Sequence, residues 1–186
     1  MAPAPSPPAL LIVDMISLLD FPGAARMGPL PAARRIHALR RRFHAHGWPV
    51  VFANDNFARW LCGFDELVAM ASAAGGTAAE IAELLRPQAQ DYLVLKPKHS
   101  AFLATPLAVL LAKLGVRRLL LAGMALESCV LATALDANAR EFEVAVARDA
   151  VAGRPQLRDS TFKVLTGSHA ARLVGTRGVP AWAMGR

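Results

Sequence analysis

The sequence predicts one doubly wound α/β domain: a mostly parallel, six-stranded sheet with helices on both faces. Short apolar runs of strand length recur at 9–14, 48–53, 92–96, 119–122, 142–147 and 179–184. The segments between most of them space apolar residues three and four apart, as helices do. Strands that alternate with helices pair in parallel and bury both sheet faces. The chain has 186 residues, 54% of them hydrophobic, which suits one domain with a full core and excludes a disordered polymer.

The elements are justified in order. Residues 1–8 are rich in Pro and Ala and read as an extended tail, leaving 9–186 as the domain. The first apolar run has no basic leader and stops at Asp14, so it is not a secretory signal. Pro31 can open a helix that Gly47 ends, with Ile36, Leu39 and Phe43 as its inner stripe. Arg34, Arg35, Arg40, Arg41 and Arg42 fall mainly on its remaining faces. Residues 63–76 are rich in Ala and Gly and read as a loop. Thr77 with Glu80 forms a capping box for a short helix that ends before Pro87. That loop and helix either cover a crevice or meet a neighbouring subunit. Thr105-Pro106 opens a helix with Leu107, Leu110, Leu111 and Leu114 at core spacing and Gly115 at its end. Ser128 caps another, which places Cys129 in its first turn. A last helix is expected over 159–173, before the final strand at 179–184.

Several function classes fall away. No uncharged apolar run approaches the ~18 residues of a membrane span. No Gly-x-Gly-x-x-Gly follows a strand, which argues against a dinucleotide enzyme. The net charge of +7 owes much to the arginine helix, but no aromatic interleaving accompanies it, so nucleic acid is not expected as a partner. The cysteines, Cys62 and Cys129, form no disulfide framework, which fits a reduced, cytoplasmic protein. Cys62 reads as structural.

Three residues carry candidate chemistry. Asp14, Lys96 and Cys129 each follow or end an apolar run, and in an open parallel sheet such ends meet at one ligand-binding edge. A thiol at a helix start faces unpaired N–H groups that favour its thiolate, the nucleophilic form. Taken singly, the three have plainer readings: a turn carboxylate, a solvated lysine and a small buried hydrophobe. His99 is either a general base or a loop residue.

The chain resembles the isochorismatase-like cysteine hydrolases, which include nicotinamidases and N-carbamoyl amide hydrolases. The resemblance rests on Leu-Leu-Ile-Val-Asp14-Met, on Lys96-Pro-Lys-His-Ser-Ala-Phe102 with Thr105-Pro-Leu, and on Gly123-Met-Ala-Leu-Glu-Ser-Cys129-Val with Thr133-Ala-Leu-Asp-Ala137. It implies a catalytic triad of Asp14, Lys96 and Cys129, and a non-proline cis peptide at Met124–Ala125. It also implies an oxyanion hole from the N–H groups of Ala125 and Cys129. Phe21, Asn54, Phe57, Trp60 and Glu127 are the substrate-binding candidates; core or loop packing would equally suit Phe21 and Trp60. Family members often carry an Asn-Asp pair after the catalytic Asp, where this chain has Ser17-Leu18. Nicotinamidases place an Asp-x-His metal pattern after the second strand. Here Asp55 precedes Asn56-Phe57, with no histidine before His99, so no metal and no cofactor is expected. The implied activity is hydrolysis of an amide or carbamoyl C–N bond of a small molecule through a thioester, with Asp14 as base for both thiol and water. The implied assembly is a homo-oligomer, dimer or tetramer. The alternatives are vinyl ether hydrolysis with Asp as acid, a non-catalytic binding subunit, or binding of acidic polymers through the arginine helix.

Overall fold

The computed structural model describes residues 6–56 and 62–184. The strands are β1 (Pro8–Val13), β2 (Val50–Asp55), β3 (Tyr92–Lys96), β4 (Arg118–Gly123), β5 (Glu143–Val151) and β6 (Arg172–Val174). They form one sheet in the order β3-β2-β1-β4-β5-β6, with every neighbouring pair parallel. The helices are α1 (Pro29–Ala45), α2 (Phe64–Ala73), α3 (Gly76–Leu84), α4 (Leu107–Lys113), α5 (Leu131–Ala139), α6 (Pro155–Gly167) and α7 (Val179–Ala183).

Alternation along the strands divides the core. Leu10 and Ile12 of β1 pack with Ile36, Leu39 and Phe43 of α1, Leu67 of α2, Ile81 of α3 and Trp182 of α7. Leu11 and Val13 point to the other face, against Leu107 and Leu111 of α4, Ala134 of α5 and Leu165 of α6. A strand covered on both faces needs apolar residues at every position, which is why β1 reads as a continuous run. Among the described residues, no helix is long and apolar enough to cross a membrane.

The C-terminal third departs from expectation. The helix expected over 159–173 spans Pro155–Gly167 instead, and 179–184 holds a short helix rather than a strand. The sixth strand is Arg172–Val174. The helix ends where Ser168 Oγ bonds back to Val164 O and His169 takes a left-handed turn at φ 56°. Pro180 was the warning in the other segment, because proline suits a helix's first turn and not a strand interior.

Smaller differences have local causes. The Ala-rich stretch 63–76 contains α2, whose start is closed by the Glu66 carboxylate accepting the Gly63 N–H. Helix α3 begins at Gly76 behind a left-handed Gly75, so Thr77 lies inside its first turn and does not cap it. Helix α1 starts at Pro29, two residues before Pro31. Arg40 is not solvated. It falls on the inner stripe between Ile36 and Phe43, donates to Leu85 O and Arg86 O, and lies 3.6 Å from the buried Asp91 carboxylate.

Gly123 sets how closely β4 passes β1. Its φ is 120°, and a Cβ there would sit 2.0 Å from Val13 O. We expect Gly123→Ala to destabilise the protein by more than about 3 kcal/mol, because backbone and not a pliable side chain must move. Urea denaturation measures this, and a midpoint equal to wild type would refute the close approach.

Candidate active site

The site forms where the strand order reverses. From β1 the chain crosses to β2 on one side, and from β4 to β5 on the other, which leaves a crevice beyond their C-terminal ends. Asp14 occupies the turn after β1 in a left-handed conformation, φ 50°, which Asp tolerates better than most residues. Its N–H bonds to Ala53 O at 3.0 Å, and its Oδ1 accepts the Asp55 N–H at 2.7 Å. Lys96 closes β3, and its side chain is fully buried. Its Nζ lies 2.7 Å from Asp14 Oδ2, donates to Lys98 O at 3.0 Å, and reaches Cys129 Sγ at 3.7 Å.

The turn that carries Cys129 is built from β4. Met124 N–H bonds to Val13 O at 2.9 Å, and the Met124–Ala125 peptide is cis. A π-helical turn, Leu126–Val130, follows and runs into α5. Ser128 therefore lies inside this turn and does not cap a helix. Its hydroxyl is 3.8 Å from Cys129 Sγ and 3.2 Å from His99 Nδ1, and that imidazole nitrogen is 4.0 Å from the sulphur.

The structure brings Asp14, Lys96 and Cys129 together at this edge. Asp14 and Cys129 line a cavity of about 570 Å³ with Ile16, Ser17, Leu18, Asp20, Phe21, Asp55, Met124 and Ala125. A depression of similar volume, about 590 Å³, lies near Asn138, Thr166, His169 and Arg172 and holds no thiol. Burial pushes the Cys129 thiol up to about 11, helped by the negative charge of Asp14 and opposed by Lys96. Burial likewise raises Asp14 above the ordinary carboxylate value, against the pull of Lys96 and a hydrogen bond with the thiol. Burial thus favours the neutral form of the Cys129 thiol. The expectation that the helix start favours a resting thiolate is corrected, because desolvation outweighs the nearby cation.

The other sequence candidates divide. Phe21 lines the cavity mouth and is 39% exposed. Asn54 is buried and committed elsewhere: its Oδ1 accepts the Ile16 N–H at 3.0 Å, and its Nδ2 donates to Ile16 O at 2.8 Å and Asp55 O at 3.0 Å. It clamps the chain just past Asp14 and is not among the residues that line this cavity. Glu127 is not among the residues that line the cavity. Its Oε2 accepts the Arg154 N–H at 3.1 Å, and a Cβ on Gly153 would sit 2.5 Å from that oxygen. Phe57 and Trp60 lie outside the described residues. Ser17 and Leu18, where the chain departs from the family's Asn-Asp pair, line the cavity, and sequence reasoning missed Ile16, Asp20 and Asp55 beside them. Their place directly after β1 and at the end of β2 was the available signal. Among the described residues, no group of three or more His, Cys, Asp or Glu side chains is placed to hold a metal ion.

The geometry defines a parallel α/β domain with a thiol, a carboxylate and an ammonium at its switch point. Comparison with known proteins places it. The isochorismatase domain model matches residues 8–173. The chain is 34% identical over 146 residues to the uncharacterized isochorismatase family protein YaaI of Bacillus subtilis, covering 77% of this chain and 80% of that protein. It is 32% identical over 157 residues to maleamate amidohydrolase of Pseudomonas putida, covering 79% and 73%. The N-carbamoylsarcosine amidase structure from Thermoplasma acidophilum superposes with a TM-score of 0.70 at 27% identity, covering 91% of this chain and 96% of that one. The chain belongs to the isochorismatase family and is a hydrolase of the isochorismatase-like superfamily.

The Asn54 clamp yields a prediction. Asn54→Ala orphans the Ile16 N–H and C=O, each costing roughly 1–3 kcal/mol, and frees the backbone beside Asp14. We expect a lowered melting temperature together with at least about tenfold slower iodoacetamide alkylation of Cys129, since a group positioned for proton transfer contributes at least that much. Unchanged values of both would show that the clamp does not position the site.

Proposed function

We propose that the protein hydrolyses a C–N bond of a small molecule, an amide or carbamoyl group, through a thioester on Cys129. The observation that carries this is the contact of Lys96 Nζ with both Asp14 Oδ2, at 2.7 Å, and Cys129 Sγ, at 3.7 Å, at the edge of one cavity. Similarity to maleamate amidohydrolase and to N-carbamoylsarcosine amidase supports the choice of bond.

Substrate enters the cavity with its carbonyl carbon over Sγ. Asp14, ionised and held by Lys96, takes the thiol proton as sulphur attacks. A free thiolate need not build up beforehand, which suits a thiol whose resting pKa is about 11. Raising Asp14 above the usual carboxylate range makes it a stronger base and narrows its gap to the thiol. The tetrahedral oxyanion is received by the N–H groups of Ala125 and Cys129. Ala125 lines the cavity, and among the described residues its N–H donates to no backbone or side-chain group. Asp14 then delivers its proton to the leaving nitrogen, the C–N bond breaks, and the thioester remains. No metal enters this scheme, because Asp55-Asn56-Phe57 lacks the histidine of the Asp-x-His pattern.

A panel of amides and ureides, with release of ammonia or amine monitored, identifies the substrate. With it in hand, Asp14→Asn and Lys96→Ala should each lower kcat/KM by about a hundredfold or more, as removal of a positioned acid–base group does. Asp14→Asn should fold normally, because Asn accepts the left-handed turn. Lys96→Ala leaves Asp14 without its partner and should cost stability as well, about 3–5 kcal/mol for breaking a buried pair. Cys129→Ala should abolish turnover; activity surviving it would favour the vinyl ether reading, in which no thiol is needed.

The acid limb of kcat/KM follows from Asp14. The base must be ionised, so activity is lost as pH falls through its folded pKa, which lies above 3.8. A pH–rate profile with its acid limb at or below that value would contradict the assignment.

A further inference from the structure

We infer that His99 is the general base of the second half-reaction, taking a proton from the water that hydrolyses the Cys129 thioester. The inference rests on the thioester reading above and adds a residue and a step to it.

Three observations lead to it. His99 Nδ1 lies 4.0 Å from Cys129 Sγ, within reach of any water that attacks a carbonyl bonded to that sulphur. The imidazole is exposed, whereas Asp14 faces the cavity that the acyl group fills. Water therefore reaches the thioester past His99 without crossing the bound acyl group. Besides the sulphur itself, the His99 ring contacts the Ser128 hydroxyl at 3.2 Å, which orients Nδ1 toward the sulphur.

The loop that carries His99 is fixed to the same helix that follows the nucleophile. Ser100 Oγ bonds to the Asp136 carboxylate, and the Ala101 N–H bonds to Thr133 Oγ1 at 3.0 Å. Thr133 is fully buried in α5. The separation of imidazole and sulphur is thus set by the framework, which is what a proton-transfer group requires.

The step balances. Water oxygen bonds to the acyl carbon as one of its protons passes to His99 Nδ1. The tetrahedral intermediate collapses and the C–S bond breaks, leaving a thiolate. The Nδ1 proton moves to Sγ, which restores a neutral thiol and a neutral imidazole. The product leaves as a carboxylic acid that ionises in bulk water. Asp14 serves acylation and His99 deacylation, so neither group need be reset by the other.

The test isolates the second step. A p-nitrophenyl ester acylates Cys129 rapidly, and decay of the adduct is followed by intact-protein mass spectrometry. In His99→Gln we expect the adduct to form at a wild-type rate and to decay at least about tenfold more slowly, the lower part of the range for a lost general base. In His99→Ala, added imidazole should restore decay in proportion to its concentration, which a merely structural role would not allow. Decay within twofold of wild type in His99→Gln, or no response to imidazole in a slowed His99→Ala, would overturn the inference. Absence of any Cys129 adduct in wild type would instead overturn the thioester reading, and the inference with it.

Discussion

The ion pair of Lys96 with Asp14 is the interaction on which the site depends. Lys96 belongs to the edge strand β3, Asp14 to the turn after β1, and β2 lies between them. The pair spans three strands and forms only if they end level. The register supplies this: Asp55 pairs with Lys96, and Ala53 pairs with Val13. A fully buried ammonium with no anion would be costly, so the pair also holds the edge of the fold in place. Sheet alignment and site geometry are one constraint seen from two sides.

That pair also bears on the acidity of its neighbours. Burial raises Cys129 and Asp14 together, and Lys96 opposes both shifts. Without the lysine, burial of the Asp14 carboxyl would go unopposed by a neighbouring cation. With it, the Asp14 carboxyl, the Lys96 ammonium and the Cys129 thiol share one edge of the cavity. The remaining elements serve this arrangement. Gly123 lets β4 lie against Val13, Asn54 locks Ile16, and Glu127 ties the π-helical turn to the Gly153–Arg154 backbone.

Much of this was legible in the sequence, because buried parallel strands write themselves as unbroken apolar runs. Asp14, Lys96 and Cys129 stood out because each ends or follows such a run. Long-range commitments of polar side chains were not legible. Asn54 and Glu127 look like cavity residues by position, yet their polar atoms are used by backbone groups 38 and 27 residues away. Arg40 carries a charge and lies at a core position, and partners distant in sequence, Asp91 and the Leu85 and Arg86 carbonyls, account for it. The last helix and strand were misplaced because β6 has three residues, too few to show a period. The protonation of Cys129 was misjudged for a related reason. Local sequence reveals a helix start but not the depth at which the sulphur lies.

We propose that Cys129 rests as a protonated thiol beside the Asp14–Lys96 pair. Titration of thiolate ultraviolet absorbance in the Cys62→Ser variant, where Cys129 is the remaining thiol, tests it most directly. The account predicts no thiolate signal at neutral pH and a rise centred near 11. Full thiolate absorbance at neutral pH would contradict it, and would mean that a standing thiolate–cation pair, with no proton taken by Asp14, starts the reaction.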